Sequence, residues 1–194
     1  MSDLLSLKCP HCGNGLDGAN NSLVFFCTSC PRGLELEENQ LTSYRLHFTK
    51  PPKELSPEAV YFPFWRIVSE YVSGGQAANG NRGERVSLVP AFFIKSINYF
   101  GDIGYYYTLK KITPVEEEKG QGWPIFPADR DLKSALAYPA IYLYREIFRD
   151  QDVEKINLQF QHREFTLLLV PFFKVNEIFV DPFILWKYPS GALV

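Results

Sequence analysis

Four cysteines fall within the first thirty residues, as Cys9-Pro10-His11-Cys12 and Cys27-Thr28-Ser29-Cys30, and no other position of the 194-residue chain holds one. No other feature constrains the fold as strongly. A secreted disulfide scaffold spreads its cysteines through the chain, whereas two CxxC pairs fourteen residues apart read as a metal site. Each CxxC turn sets two thiolates on one tight knuckle, and a second knuckle facing it completes a tetrahedron with about 2.3 Å to each sulfur. Gly13, directly after Cys12, can take positive φ in such a turn without penalty. Residues 14–21, rich in Asn and Gly, then connect the knuckles as a hairpin-like excursion.

The expected ligands are therefore Cys9, Cys12, Cys27 and Cys30, and zinc is the expected ion. Iron fits the same four sulfurs and is the lesser candidate. Four thiolates close the shell, while a catalytic zinc keeps one position open, so the site is expected to be structural. A thioredoxin-like dithiol needs a βαβ setting around one CxxC, which this turn-rich segment does not provide. His11 lies between two ligands and is expected at the surface. Such a ribbon folds on its metal, so chelation is expected to unfold residues 1–48 first.

Residues 1–8 carry Asp3 and lack an apolar h-region and a small-residue cleavage site, so no signal peptide is read there. Reduced thiols and a cytoplasmic location are the corresponding expectation. The longest apolar run, residues 135–144, is interrupted by Pro139, and the next, 167–173, contains Pro171. A spanning helix needs roughly 20 apolar residues, which leaves at most peripheral membrane contact. Lys plus Arg number 20 against 22 Asp plus Glu, so no broad basic field draws nucleic acid by charge.

The chain divides by pattern into a zinc ribbon over 1–48, a proline-rich linker over 49–57, and an aromatic-rich, strand-dominated domain over 58–194. The expected class is α+β, mostly β. Leu23-Val24-Phe25-Phe26 reads as a strand, and Gly33-Leu34-Glu35-Leu36-Glu37 alternates as a half-exposed one does. Strands are also expected over 60–68, 85–97 and 105–112, with a long Gly/Asn loop over 73–83 and a solvated turn over 116–122. One helix is expected near 129–149, apolar nearly all round, with Pro139 kinking it or starting its second half. The chain closes on strand-like runs at 155–161, 164–175 and 178–188, with turns at His162-Arg163-Glu164, Asn176-Glu177 and Asp181-Pro182.

One pattern recurs: Tyr61-Phe62-Pro63-Phe64-Trp65, Leu88-Val89-Pro90-Ala91-Phe92-Phe93 and Leu169-Val170-Pro171-Phe172-Phe173. Proline cannot donate to a ladder, so each copy is expected at a sheet edge or bulge. The aromatics read first as core and second as the lining of a groove.

The paired motifs Cys9-Pro10-His11-Cys12-Gly13 and Cys27-Thr28-Ser29-Cys30 resemble the zinc-ribbon superfamily, which includes rubredoxin-like ribbons. The Tyr61–Trp65 and 169–173 segments are similar to segments of uncharacterised bacterial zinc-ribbon proteins. That resemblance implies a bound metal; ribbons of this kind serve nucleic-acid binding, transcription, translation and protein docking. No nucleophile elbow, phosphate loop or dinucleotide fingerprint appears, and the three histidines (His11, His47, His162) carry no triad pattern. Residues 1–50 hold Lys8, Arg32, Arg45 and Lys50 against Asp3, Asp17, Glu35, Glu37 and Glu38, which gives the ribbon no basic face. The expected function is a non-enzymatic cytoplasmic adaptor or scaffold that binds another protein. A nucleic-acid-binding ribbon protein is the alternative.

Overall fold

The computed structural model describes residues 8–37, 40–50, 59–74, 82–94, 103–111, 116–117, 122, 124–147 and 157–192. The protein is mostly β, with helices packed on an open mixed sheet. Strands β1 (Leu16–Asp17), β2 (Val24–Cys27), β3 (Arg32–Glu37) and β4 (Gln40–Thr49) form an antiparallel meander. Strands β5 (Ala59–Gly74), β6 (Arg82–Pro90) and β8 (Asn157–Val175) form the long body of the sheet, in the order β1-β2-β3-β4-β8-β5-β6. The two parts join where Leu46, His47 and Phe48 of β4 pair in parallel with Leu167, Leu168 and Leu169 of β8. Short β7 (Glu116–Glu117) pairs with the end of β4, β9 (Ile178–Val180) pairs with β8, and β10 (Lys187–Pro189) pairs with β9.

Over 59–68 of β5 and 165–173 of β8 the sequence is a near-continuous apolar run because both faces are covered there. On one face Tyr61, Trp65 and Ile67 of β5 meet Leu167 and Leu169 of β8, together with Val24, Phe26 and Leu46 from the meander. On the other, Phe62 and Phe64 meet Leu168, Val170 and Phe172, with Leu88, Phe92, Tyr107 and Tyr188. Period-two alternation thus sends aromatics to two cores instead of one core and water. Trp65 is fully buried, and its indole N–H donates to the Arg130 carbonyl at 3.0 Å, which satisfies the one polar atom it carries inward.

The prolines sit where a neighbouring strand stops. Tyr61 donates to the Pro124 carbonyl, on the side of β5 away from β8. Two residues on, Pro63 has no N–H to offer in the gap before β6 begins pairing at Phe64 opposite Pro90. Pro171 lies beyond the last β4 partner of β8, Leu169.

The strand expected over 105–112 is instead a helix, α1 (Ile103–Leu109). Its tyrosines favour strands only where a pleated neighbour exists, and here tertiary packing decides. A Cβ on Gly104 would lie 2.6 Å from the Leu88 carbonyl oxygen, so only glycine lets the helix press against the edge of β6. Thr108 Oγ1 then donates to the Gly104 carbonyl at 2.7 Å and accepts from Leu88 N–H at 3.0 Å, filling an open position on that edge.

The helix expected near 129–149 is two pieces, α2 (Leu132–Ala135) and α3 (Tyr138–Ile147), and Pro139 lies in the first turn of the second. Asp131 caps α2 by accepting from Ser134 N–H at 2.8 Å. The turn expected at His162-Arg163-Glu164 is a β-bulge. Val68 faces Glu164 and Ser69 faces His162, which leaves Arg163 as the extra residue in one unbroken strand. Asn176 (φ 55) supplies the turn between β8 and β9, and Asp181 accepts from Phe183 and Ile184 N–H to form the next one. Of the solvated turn expected over 116–122, Glu116 and Glu117 form β7 and Gly122 takes φ 76, while residues 118–121 lie outside the described residues. Thr49 ends β4, while the rest of the proline-rich segment from 51 to 57 and residues 75–81 of the Gly/Asn loop lie outside the described residues.

Candidate metal centre

The four cysteines arrive at one point from two knuckles. The first is closed by Gly13 N–H donating to the Cys9 carbonyl at 2.8 Å and by Cys9 N–H donating to the Asn14 carbonyl at 2.8 Å. Gly13 sits at φ 75, the left-handed conformation that a side chain would resist. The second knuckle follows β2 directly. Ser29 and Cys30 N–H both donate to the Cys27 sulfur at 3.4 Å.

The ligand atoms of Cys9, Cys12, Cys27 and Cys30 all lie within 4.8 Å of one another. Cys9 Sγ is 3.6 Å from Cys30 Sγ, and Cys12 Sγ is 3.4 Å from Cys27 Sγ. A tetrahedron with metal–sulfur bonds of about 2.3 Å has edges of about 3.8 Å, so the separations suit one ion at the centre. The group is asymmetric: Cys9 is buried and Cys12 exposed. Asn14 N–H and the Cys27 side chain hold the Cys12 thiol down to about 6. Burial, followed by the neighbouring Cys27, pushes the Cys30 thiol up. Four thiolates this close cannot all be anions unless a cation sits among them, and the soft donor set fits zinc or iron. His11 is exposed, as its place between two ligands implies.

Three connections tie this centre to the sheet body. Leu23 and Val24 N–H both donate to the Ala128 carbonyl, at 2.8 and 3.0 Å. Gly33 on β3 lies against Leu167 of β8, in contact close enough to exclude a Cβ. Glu35, 3% exposed, accepts from Leu132 N–H at 2.7 Å and from Tyr44 Oη at 2.8 Å. Burial pushes its carboxyl above the ordinary glutamate value against the pull of those two donors. The Leu34-Glu35-Leu36 alternation suggests a half-exposed strand, but the Leu132 end of α2 covers it. No local signal reveals that contact.

A cleft of about 310 Å³ runs beside the centre, lined by Cys27, Thr28, Phe48, Tyr61 and Ile125 among others. Elsewhere, Ser69 Oγ and His162 Nδ1 are 2.8 Å apart, a nucleophile–base spacing. Ser69 is fully buried, and no carboxylate orients the ring among the described contacts, so the pair closes the bulge instead of opening onto a site. Among the described residues, no helix is long and apolar enough to cross a membrane.

These features define a strand-dominated α+β protein with a four-cysteine cluster built to hold one metal ion. No family model matches the chain, and comparison with curated proteins and with solved structures returned no match.

Proposed function

We propose that this is a non-enzymatic, cytoplasmic adaptor in which a structural zinc ion fixes a ribbon surface for docking on another protein. The observation that carries the reading is the donor set. All four ligands are cysteine sulfurs from one chain, so a bound ion has no open position for a substrate or an activated water. Zinc is favoured over iron because it needs no redox partner site. A reducing compartment suits thiols that must stay free to ligate. The exposed first knuckle, Pro10 to Asn14, and the cleft beside Cys27 offer adjacent contact surfaces. The ribbon's acids slightly outnumber its bases, which favours a protein partner over nucleic acid.

The test is affinity purification of the intact protein from its native cell, with mass spectrometry of companions and elemental analysis of the bait. Cross-links from a stoichiometric companion to residues 8–30, lost on His11→Glu or Thr28→Glu with metal content unchanged, support the adaptor. Salt-sensitive retention on DNA or RNA, or turnover of a metabolite, overturns it.

A further inference from the structure

Leu185 is 72% exposed, the most exposed large apolar side chain among the described residues, and its backbone sits at φ 59. Glycine or asparagine takes that conformation freely; leucine does so only at a cost. The loop that imposes it is firmly built. Asp181, fully buried, accepts from Phe183 N–H at 2.7 Å and from Ile184 N–H at 3.3 Å through its carboxylate. Its backbone N–H donates to the Trp186 carbonyl, and its carbonyl accepts from Leu185 N–H at 3.1 Å. Phe183, Ile184 and Trp186 turn inward onto the second core. Only the tip residue is turned out. A turn that needed nothing but its shape would use glycine, so the outward leucine points to a role in contact.

The surroundings identify what it contacts. Trp186 packs edge-on against Tyr106 of α1, with ring centroids 4.5 Å apart. Lys110, one turn further along the chain from Tyr106, is exposed, as are Lys111 and Lys187. Residues 103–111 and 178–189 together hold those three lysines and a single carboxylate, the buried Asp181. Lys111 also borders a cleft with Glu84, Arg85 and Glu146, which leaves Lys110 and Lys187 as the cations of this patch. An aliphatic tip, amphipathic Trp and Tyr rings behind it, and flanking lysines, with the exposed Glu177 engaged by Ser190 Oγ at the far end of the β9–β10 hairpin, suit the headgroup boundary of an anionic bilayer.

We propose that the 181–187 loop and the end of α1 dock this protein reversibly on anionic lipid, with Leu185 entering the acyl boundary and Lys110 and Lys187 meeting lipid phosphates. The surface is separate from the metal centre and is additional to any protein partner held there. One aliphatic side chain and two cations make a weak anchor, so binding is salt-sensitive and readily reversed.

Flotation of the full-length, metal-loaded protein with phosphatidylglycerol-containing vesicles and with pure phosphatidylcholine vesicles tests this. The expected result is salt-sensitive flotation on the anionic vesicles only. Leu185→Gly should weaken it about tenfold or more while melting at the same or a higher temperature, because the strained φ is relieved. Lys110→Gln and Lys187→Gln should each weaken it roughly fivefold. Absence of flotation overturns the proposal, as does flotation that Leu185→Gly leaves unchanged. So does a wild-type protein that ignores vesicles but loses a bound companion protein on Leu185→Gly, since the tip would then serve a protein.

Discussion

The cysteine module and the sheet body solve the same problem with different means. The body, from β5 onward, buries Trp65, Phe62, Phe64, Phe92, Phe172 and several tyrosines completely, and two faces of aromatic packing hold it. Among the described residues of the module, 8–37 and 40–48, only Cys9, Val24, Phe26, Leu34 and Leu46 form its buried apolar set. So thin a core offsets little of the entropy of ordering the chain, and a metal held by the four cysteines would supply what packing lacks. Yet three of those residues, Val24, Phe26 and Leu46, belong to the same core cluster as Trp65 and Leu167. The difference in means therefore does not make the two regions independent.

The largest expected effect comes from removing the metal. Structural zinc contributes on the order of 10–16 kcal/mol in isolated ribbons at neutral pH, so chelation or Cys9→Ser should unfold the knuckles and β2–β3. If the regions are coupled as the contacts indicate, the Leu132 amide, 97 residues away from its acceptor Glu35, should lose protection in the same hydrogen-exchange experiment. Unchanged protection at Leu132 would show that the cysteine module unfolds alone. Next in size is Trp65→Ala, expected to cost about 3–5 kcal/mol in denaturant titration. Because Trp65 also contacts Tyr44 of β4 edge-on at 4.9 Å, that variant should lower metal affinity as well as global stability.

A smaller effect is expected at the joint itself. Glu35→Ala leaves the buried Leu132 N–H without a partner, at a cost of about 1–3 kcal/mol. The pH dependence has a definite sign. The folded pKa of Glu35 is raised, so its stabilising contribution is full below the ordinary glutamate value and is lost as pH rises through the folded value. Glu35→Gln should flatten that slope relative to wild type. Smallest of all is the exposed Arg66–Glu164 pair at 3.2 Å, whose side chains are 30% and 58% exposed. A double-mutant cycle should return less than about 1 kcal/mol, falling with added salt.

The features that could be read from the chain are those whose cause is local. Knuckle spacing, the Gly13 turn and the Asn176 turn depend on neighbours within a few residues, and the structure places them as expected. The apolar runs of β5 and β8 were legible as strands for the same reason. What was not legible depends on distant contacts. Residues 105–109 carry tyrosines that read as strand, and only the approach of Gly104 to Leu88 makes them helical. Arg163 bulges because Ser69 and His162 pair across strands. The burial of Glu35 needs the Leu132 end of α2, and the parallel seam between β4 and β8 needs a strand more than a hundred positions later.

That seam has a consequence for how the protein comes into being. During synthesis both cysteine pairs leave the ribosome ahead of β8, and the knuckles can take an ion before that strand is made. The outer rim of β4 then stays bare until residues 167–169 emerge, an interval in which its unpaired amides and carbonyls invite the wrong strand. Cells that make this protein quickly or at high temperature should therefore depend on holding factors for the half-made chain, well before any question of its mature stability arises.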